Sequence, residues 1–207
     1  MKGDLLIIGA GGHTRVVIDA AVKSYSILGI IDINFTGSPE EIMGCNVIGD
    51  YSILSDYPTD STNVFIAIGD TSIREKYFNK VRQDGYAIPA LIHPTAIISD
   101  NAQIDDGSFI NAGVIINAKA QLMTGCIINT GSIIDHEVSI GKFTHISPGV
   151  SISGRTMVGN NSFIGTGTSV IDKITIGNNV TIGAGSTIIK DVESGNKVVG
   201  VSKIINK

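Results

Sequence analysis

Seventeen aliphatic residues recur at a six-residue interval without a break, beginning Ile92, Ile98, Ile104, Ile110 and ending Ile176, Ile182, Ile188. With a third of positions aliphatic, chance would produce such a run roughly once in 10^8 tries. A six-residue period fits neither a lone helix nor a lone strand. It fits a hexapeptide β-helix, in which short strands wrap a prism and stack coil on coil. The residue two before each aliphatic is Ala, Ser, Cys, Thr, Val or Ile at all sixteen repeats from Ala96 to Ser186. Side chains two apart on a strand share a face, so both members of each pair should point inward. The residue after the aliphatic is Gly, Asn or Asp at ten of sixteen repeats, as in Asn111, Asn117, Gly141, Gly159 and Gly165. These types tolerate tight turns, which predicts that this residue makes the corner. Three sides of six residues give a coil of eighteen, and sixteen repeats give a little over five coils. At about 4.8 Å per coil the prism is roughly 25 Å long.

A solenoid this short has exposed flanks and ends, which capping and self-association usually cover. Residues before about 90 follow a different grammar, so we divide the chain into 1–88 and 89–207. Twenty-five glycines and no tryptophan suit a narrow prism filled by Ile and Val. A formal charge of −4 with no Lys/Arg cluster argues against nucleic acid as a partner. No apolar run reaches the ~18 residues that a membrane span requires, so no membrane insertion is expected. Leu5–Ala10 is too short for a signal peptide and runs straight into glycines. Cys126 is a repeat position and Cys45 lies in the other domain, so a reducing, cytoplasmic setting is the expectation.

The first 88 residues alternate strand and helix patterns. Leu5-Leu6-Ile7-Ile8 reads as a buried strand, followed by Gly9-Ala10-Gly11-Gly12-His13 and a helix from Thr14 to about Val22. Leu28 to Ile31 reads as a second strand ending in Asp32, and Val64 to Ile68 as another ending in Gly69-Asp70. Ser72-Ile73-Arg74-Glu75 has a capping-box pattern, with Ile73, Tyr77 and Val81 at helical spacing. The pattern predicts a small Rossmann-like parallel α/β domain whose ligand loops follow the strands' C-terminal ends. Gly9-x-Gly11 is part of a dinucleotide fingerprint, with Thr14 in place of the third glycine. Glycines there let backbone N–H groups approach an anion at a helix N-terminus. Asp32 is placed to accept hydrogen bonds from a ribose or base, and His13 to reach a ligand. We read a nucleotide-diphosphate site; a structural turn with a surface Asp fits the residues alone nearly as well.

Prism walls need no charged residues, so the stretch from Asn129 to Gly149 stands out. His136 and Glu137 follow the inward Ile134 outside its inward-facing pair, and His145 lies nine residues further on. An imidazole beside a carboxylate is a candidate general base, because the carboxylate favours the protonated ring. Two solvated corner residues with no task fit this pair equally well on the residues alone. No third ligand stands at zinc spacing, so no metal is expected.

The Ile-Ile-Gly-Ala-Gly-Gly-His run, Phe65-Ile66-Ala67-Ile68-Gly69, Leu91-Ile92-His93-Pro94 and the whole Asn129–Gly149 stretch resemble bacterial nucleotide-amino-sugar N-acetyltransferases. Sialic acid O-acetyltransferases share much of this pattern. The resemblance spans nearly the full chain. It implies a left-handed parallel β-helix, a homotrimer with active sites between neighbouring prisms, and acetyl-CoA as donor. By the same resemblance His136 matches the catalytic base and Glu137 the carboxylate that raises its basicity. His145, Gly154, Thr166 and Ala184 match acetyl-CoA positions. Gly11, Gly12, His13, Asp32 and Gly69 match the nucleotide-sugar site, and Asn129 is a further contributor. The implied reaction is acetylation of an exocyclic amine, at C4, on a UDP-linked amino-deoxy-sugar for glycan biosynthesis. The alternatives are O-acetylation of sialic acid and action on a GDP- or dTDP-amino sugar. Two segments depart from the family pattern. Ile33 stands where UDP-sugar relatives often carry a second acidic residue, and Val199-Gly200-Val201-Ser202-Lys203 lacks their Pro-Ala pair.

Overall fold

A computed structural model describes residues 3–200 of the chain. Val201, Ser202 and Lys203 of the departing C-terminal segment lie outside the described residues. Two compact units meet in sequence between Ile92 and His93. The sequence boundary after residue 88 lies four residues before this point.

The first unit contains β1 (Gly3–Ile8), α1 (Gly12–Ala21), β2 (Tyr25–Ile31), β3 (Glu41–Ile42), β4 (Cys45–Gly49), a 3-10 turn (Tyr51–Asp56), β5 (Thr62–Ile66) and α2 (Thr71–Gln83). Its sheet runs β3-β4-β2-β1-β5. All pairings are parallel except β3 with β4. β1 lies between two partners, and Leu5, Leu6, Ile7 and Ile8 are fully buried, as a doubly covered parallel strand requires. Two sequence expectations for α2 change. Its N-cap is Asp70, whose carboxylate accepts from the Ile73 amide at 2.9 Å, so Ser72 does not open the helix. Its buried face is Arg74, Phe78 and Val81, while Ile73 is exposed. The two-strand β3–β4 insert carried no clear periodicity and escaped the sequence reading.

The second unit is a left-handed parallel β-helix. Two-residue strands recur every eighteen residues and stack in parallel, as Ile115–Ile116 does on Ile133–Ile134 and Ile133–Ile134 on Ser151–Ile152. The first face carries those strands, the second Gln121–Leu122, Ser139–Ile140 and Met157–Val158, and the third Ile127–Ile128, His145–Ile146 and Phe163–Ile164. The periodic aliphatics from Ile110 to Ile188 fill the interior. Their companions two positions earlier are inward and satisfied: Ser132 Oγ donates to the Ser147 carbonyl at 2.8 Å, and Thr144 Oγ1 to Gly159 at 2.6 Å. A small hydroxyl therefore suits this position, since the backbone of the next coil supplies its acceptor.

The corners differ from the sequence expectation. The left-handed residue is three after the aliphatic, as at Gly131 (φ 67°) and Glu137 (φ 58°). The residue directly after the aliphatic is kept small by stacking. A Cβ on Gly141 would lie 2.6 Å from the Asn160 amide nitrogen of the next coil.

Candidate active site

The five residues matched to the nucleotide-sugar site converge on one cleft of the first unit. Loops after β1, β2 and β5 enclose about 490 Å³, lined among others by Gly11, Gly12, His13, Asp32 and Gly69. The sheet order reverses about β1, so these loops splay apart and leave a crevice there. α1 begins two residues earlier than the sequence suggested, with Gly11 as N-cap. Gly12 and His13 thus belong to its first turn, at the positive end of the helix dipole, which favours an anion. Thr14, in place of the third fingerprint glycine, is buried and donates to the Gly9 carbonyl at 2.6 Å. It clamps the turn that a third glycine would otherwise only permit. A Cβ on Gly11 or Gly12 would meet nothing within 4 Å, so that space is open to a ligand. Asp32 Oδ1 accepts from the Asn34 amide at 3.0 Å, which orients its carboxylate. Beneath the Gly69 loop, buried Arg74 donates to the carbonyls of Ile68 at 3.1 Å and Gly69 at 2.8 Å. Sequence reading missed Arg74 as a support, because an Arg on a helix usually reads as surface.

His136 and Glu137 occupy the prism vertex between the first and second faces. His136 Nδ1 lies 3.1 Å from Glu137 Oε2. A carboxylate offers only acceptors, so Nδ1 is the donor, and in the neutral ring Nε2 carries the lone pair. The same Glu137 oxygen accepts from Arg155 Nε at 3.0 Å. Arg155 and His136 hold the Glu137 carboxyl below the usual carboxylate range, the hydrogen bond from Arg155 being the larger cause. Gly154 lies one coil above His136. A Cβ there would come within 2.6 Å of the imidazole Cε1 and Nε2, so glycine makes room for the ring. Asp135 accepts from the His136 amide at 2.7 Å and from Asn117 Nδ2 at 2.9 Å. Hydrogen bonds from Asn117, His136 and Gly154 depress its carboxyl, that from Asn117 most. The amide of Gly154 is therefore engaged by Asp135. Asp135, Asn117 and Arg155 were missed, although reading the chain in steps of eighteen aligns Asn117 with Asp135 and Glu137 with Arg155.

The remaining predicted positions lie elsewhere on the prism. His145 sits on the third face, opposite the His136 vertex, with its ring edge-on to Phe163 at 5.2 Å between centroids. Thr166 and Ala184 follow one another, a coil apart and exposed, at the vertex between the third and first faces. Asn129 lies at this same vertex, where its Oδ1 accepts from Asn111 Nδ2 at 2.8 Å and from the Thr130 amide at 2.8 Å. A single prism thus unites His136, Glu137 and Gly154 and keeps His145, Thr166, Ala184 and Asn129 apart from them. Among the described residues no group of three or more His, Cys, Asp or Glu could hold a metal. No described helix is long and apolar enough to cross a membrane.

Residues 4–81 match the family model described as the PglD N-terminal domain, and residues 155–190 that of the bacterial transferase hexapeptide, six repeats. These matches place the chain in the class of hexapeptide-repeat transferases. PerB from Caulobacter crescentus, in complex with CoA and GDP-perosamine, is 32% identical, with a TM-score of 0.89 over 96% of this chain and 94% of that one. The acetyltransferase domain of PglB from Neisseria gonorrhoeae FA1090, in complex with acetyl coenzyme A, is 34% identical, with a TM-score of 0.90 over 97% of each chain. WeeI from Acinetobacter baumannii AYE shares the fold, at 24% identity and a TM-score of 0.84 over 95% of this chain and 96% of that one. At this similarity the chain belongs to the family of nucleotide-amino-sugar N-acetyltransferases.

Proposed function

We propose that this acetyl-CoA-dependent sugar N-acetyltransferase acetylates the exocyclic C4 amine of a UDP-linked amino-deoxy-sugar, with His136 as general base. The observation that carries this reading is the His136–Glu137 pair: Nδ1 is anchored at 3.1 Å while the side chain stays half exposed. Nε2 takes a proton from the amine as nitrogen attacks the thioester carbonyl, and Glu137 stabilises the imidazolium that forms. Backbone amides at Thr166 and Ala184 stabilise the oxyanion. The cleft at Gly11, Gly12, His13, Asp32 and Gly69 binds the nucleotide diphosphate. A homotrimer completes the site. His145, Thr166 and Ala184 lie on other sides of the prism from His136, and a neighbouring copy supplies what one prism keeps apart. The acetamido product serves glycan assembly in a reducing, cytoplasmic setting, which suits a thiol product and two cysteines outside any disulfide.

A GDP-linked amino sugar is the second reading. Ile33 lines the cleft without an acidic group, and the 32% identical PerB is described with GDP-perosamine. Thermal protection by UDP, GDP and dTDP, compared with free sialic acid, ranks the nucleotides and separates N- from O-acetylation. Release of free CoA from acetyl-CoA on adding a UDP-linked 4-amino sugar or GDP-perosamine tests the reaction. His136→Ala is expected to lower turnover at least ~10²-fold with an unchanged melting temperature. Near-normal turnover in that variant removes His136 from the role.

A further inference from the structure

We infer that Asp135 is a further catalytic residue: its Oδ2 and His136 Nε2 form a two-acceptor seat for the substrate's ammonium group. The inference rests on the transferase reading above and assigns a recognition step to it. Asp135 Oδ1 accepts from the His136 amide at 2.7 Å and Asn117 Nδ2 at 2.9 Å, and the Gly154 amide also donates to this carboxylate, whose oxygens can each take more than one hydrogen bond. Oδ2 faces His136 Nε2 across 4.0 Å, with the two side chains 35% and 50% exposed. That gap is too long for a direct hydrogen bond. A nitrogen about 2.8 Å from both acceptors subtends an angle of about 90° between them, within about 20° of the spread of ammonium N–H bonds.

The seat solves a problem that the base alone leaves open. A sugar amine is mostly ammonium near neutral pH, and ammonium has no lone pair for attack. Here R–NH3+ donates one N–H to Asp135 Oδ2 and another to His136 Nε2. Nε2 takes the second proton and becomes imidazolium. The freed lone pair attacks the thioester carbonyl, so that a C–N bond forms and the C–S bond breaks. One of the two protons remaining on nitrogen passes to the departing thiolate. The products are the amide and the CoA thiol, and the imidazolium returns its proton to solvent. Asp135 keeps its charge throughout. The other charged groups around the seat are Glu137 on the same corner, Arg155 on Glu137, Lys119 a coil before, and the Asp172–Lys173 pair a coil beyond Gly154, 3.6 Å apart.

The test is kcat/KM for GDP-perosamine and for a UDP-linked 4-amino sugar across pH, using wild type, Asp135→Asn, Asp135→Glu and His136→Ala. Asparagine keeps an acceptor for the His136 amide and Asn117 but places an NH2 or an uncharged oxygen at the seat. We expect Asp135→Asn to lose at least ~10-fold in kcat/KM for the sugar near pH 7, with KM for acetyl-CoA unchanged. The deficit should close above the pKa of the substrate ammonium, where the amine arrives neutral. Asp135→Glu should restore part of the loss near pH 7. An Asp135→Asn deficit of equal size at every pH, or no deficit, overturns the inference while leaving the transferase reading standing. His136→Ala should be deficient at every pH, which separates the two roles. A wild type that turns over neither sugar sinks the transferase reading and this inference with it. Should Asp135→Asn fail to fold, Asp135→Ser carries the same expectations.

Discussion

Gly154→Ala tests whether the imidazole's position, and not merely its presence, drives turnover. The added Cβ would sit 2.6 Å from His136 Cε1 and Nε2. Ordinary carbon contacts need about 3.5 Å, so the ring must retreat by about 1 Å. Gly154 is absent from the left-handed region, so alanine meets no backbone strain. The clashing atoms belong to a half-exposed side chain that can swing away. Stability should therefore change by less than about 1 kcal/mol. Catalysis should not escape so lightly: a reactant misplaced by 1 Å costs on the order of 10²-fold, about 2.7 kcal/mol of barrier. The assay is kcat by free-CoA release at saturating substrates, beside a thermal melt. Gly149→Ala is the control, since Gly149 is left-handed at φ 66° with open space around it. It should lose stability by about 1 kcal/mol and keep kcat. Gly154→Ala with wild-type kcat refutes the reasoning, as does a stability loss as large as its activity loss.

Two further outcomes follow from other parts of the molecule. Gly12→Ala places a Cβ in empty space in the first turn of α1; it should raise stability by up to ~1 kcal/mol through helix propensity. It should also weaken calorimetric binding of UDP or GDP at least ~10-fold by blocking close approach to the amides; unchanged affinity removes the phosphates from this turn. The carboxyls of Asp70, Asp135 and Glu137 are all held below their ordinary values, chiefly by hydrogen bonds from Ile73, Asn117 and Arg155 respectively. A depressed folded pKa stabilises above the unfolded value and loses that contribution as pH falls through the folded one. The melting temperature should therefore hold from about pH 7 to about pH 5 and drop below about pH 4. Asp70→Ala should flatten that drop and cost about 1 kcal/mol at neutral pH as a lost N-cap.

The prism was legible because its period is a packing constraint: every sixth residue must fill the same narrow interior, from Ile110 to Ile188. The cleft was legible because glycines and Asp32 follow strands whose burial shows in their aliphatic runs. What failed to show was contact across coils. Arg155 reaches Glu137, and Asn117 reaches Asp135, from eighteen residues away. Neither pair makes a local pattern, so each reads as an isolated surface residue until the coil length is applied to the polar positions as well. The face of α2 misled for another reason. Arg74 takes a core-facing place because two loop carbonyls need its guanidinium, and the apolar Ile73 is left outside.

The left-handed corners set the His136 vertex apart from the vertex of Thr166 and Ala184. Along the vertex of Thr166 and Ala184 the column is Gly113, Gly131, Gly149, Gly167 and Gly185, which carries no strain and no side chain. Along the His136 vertex the column is Lys119, Glu137, Arg155 and Lys173, with φ between 58° and 61°. Each non-glycine residue there costs about 1–2 kcal/mol that a glycine would not. A chain selected for stability alone would repeat the first solution at the second vertex. Instead all four of these corners carry side chains, while the remaining vertex mixes Gly107 and Gly125 with Phe143, Asn161 and Asn179. The left-handed turn sends the Glu137 side chain back to the imidazole one residue before it, a direction that the extended strands flanking the corner do not offer. The strain at Glu137 thus has a use, since it orients the carboxylate on the imidazole. It makes one result decisive: Glu137→Gly should leave the prism as stable as before or more so, and still depress turnover. An accompanying loss of stability would mean that the column serves the fold and not the chemistry.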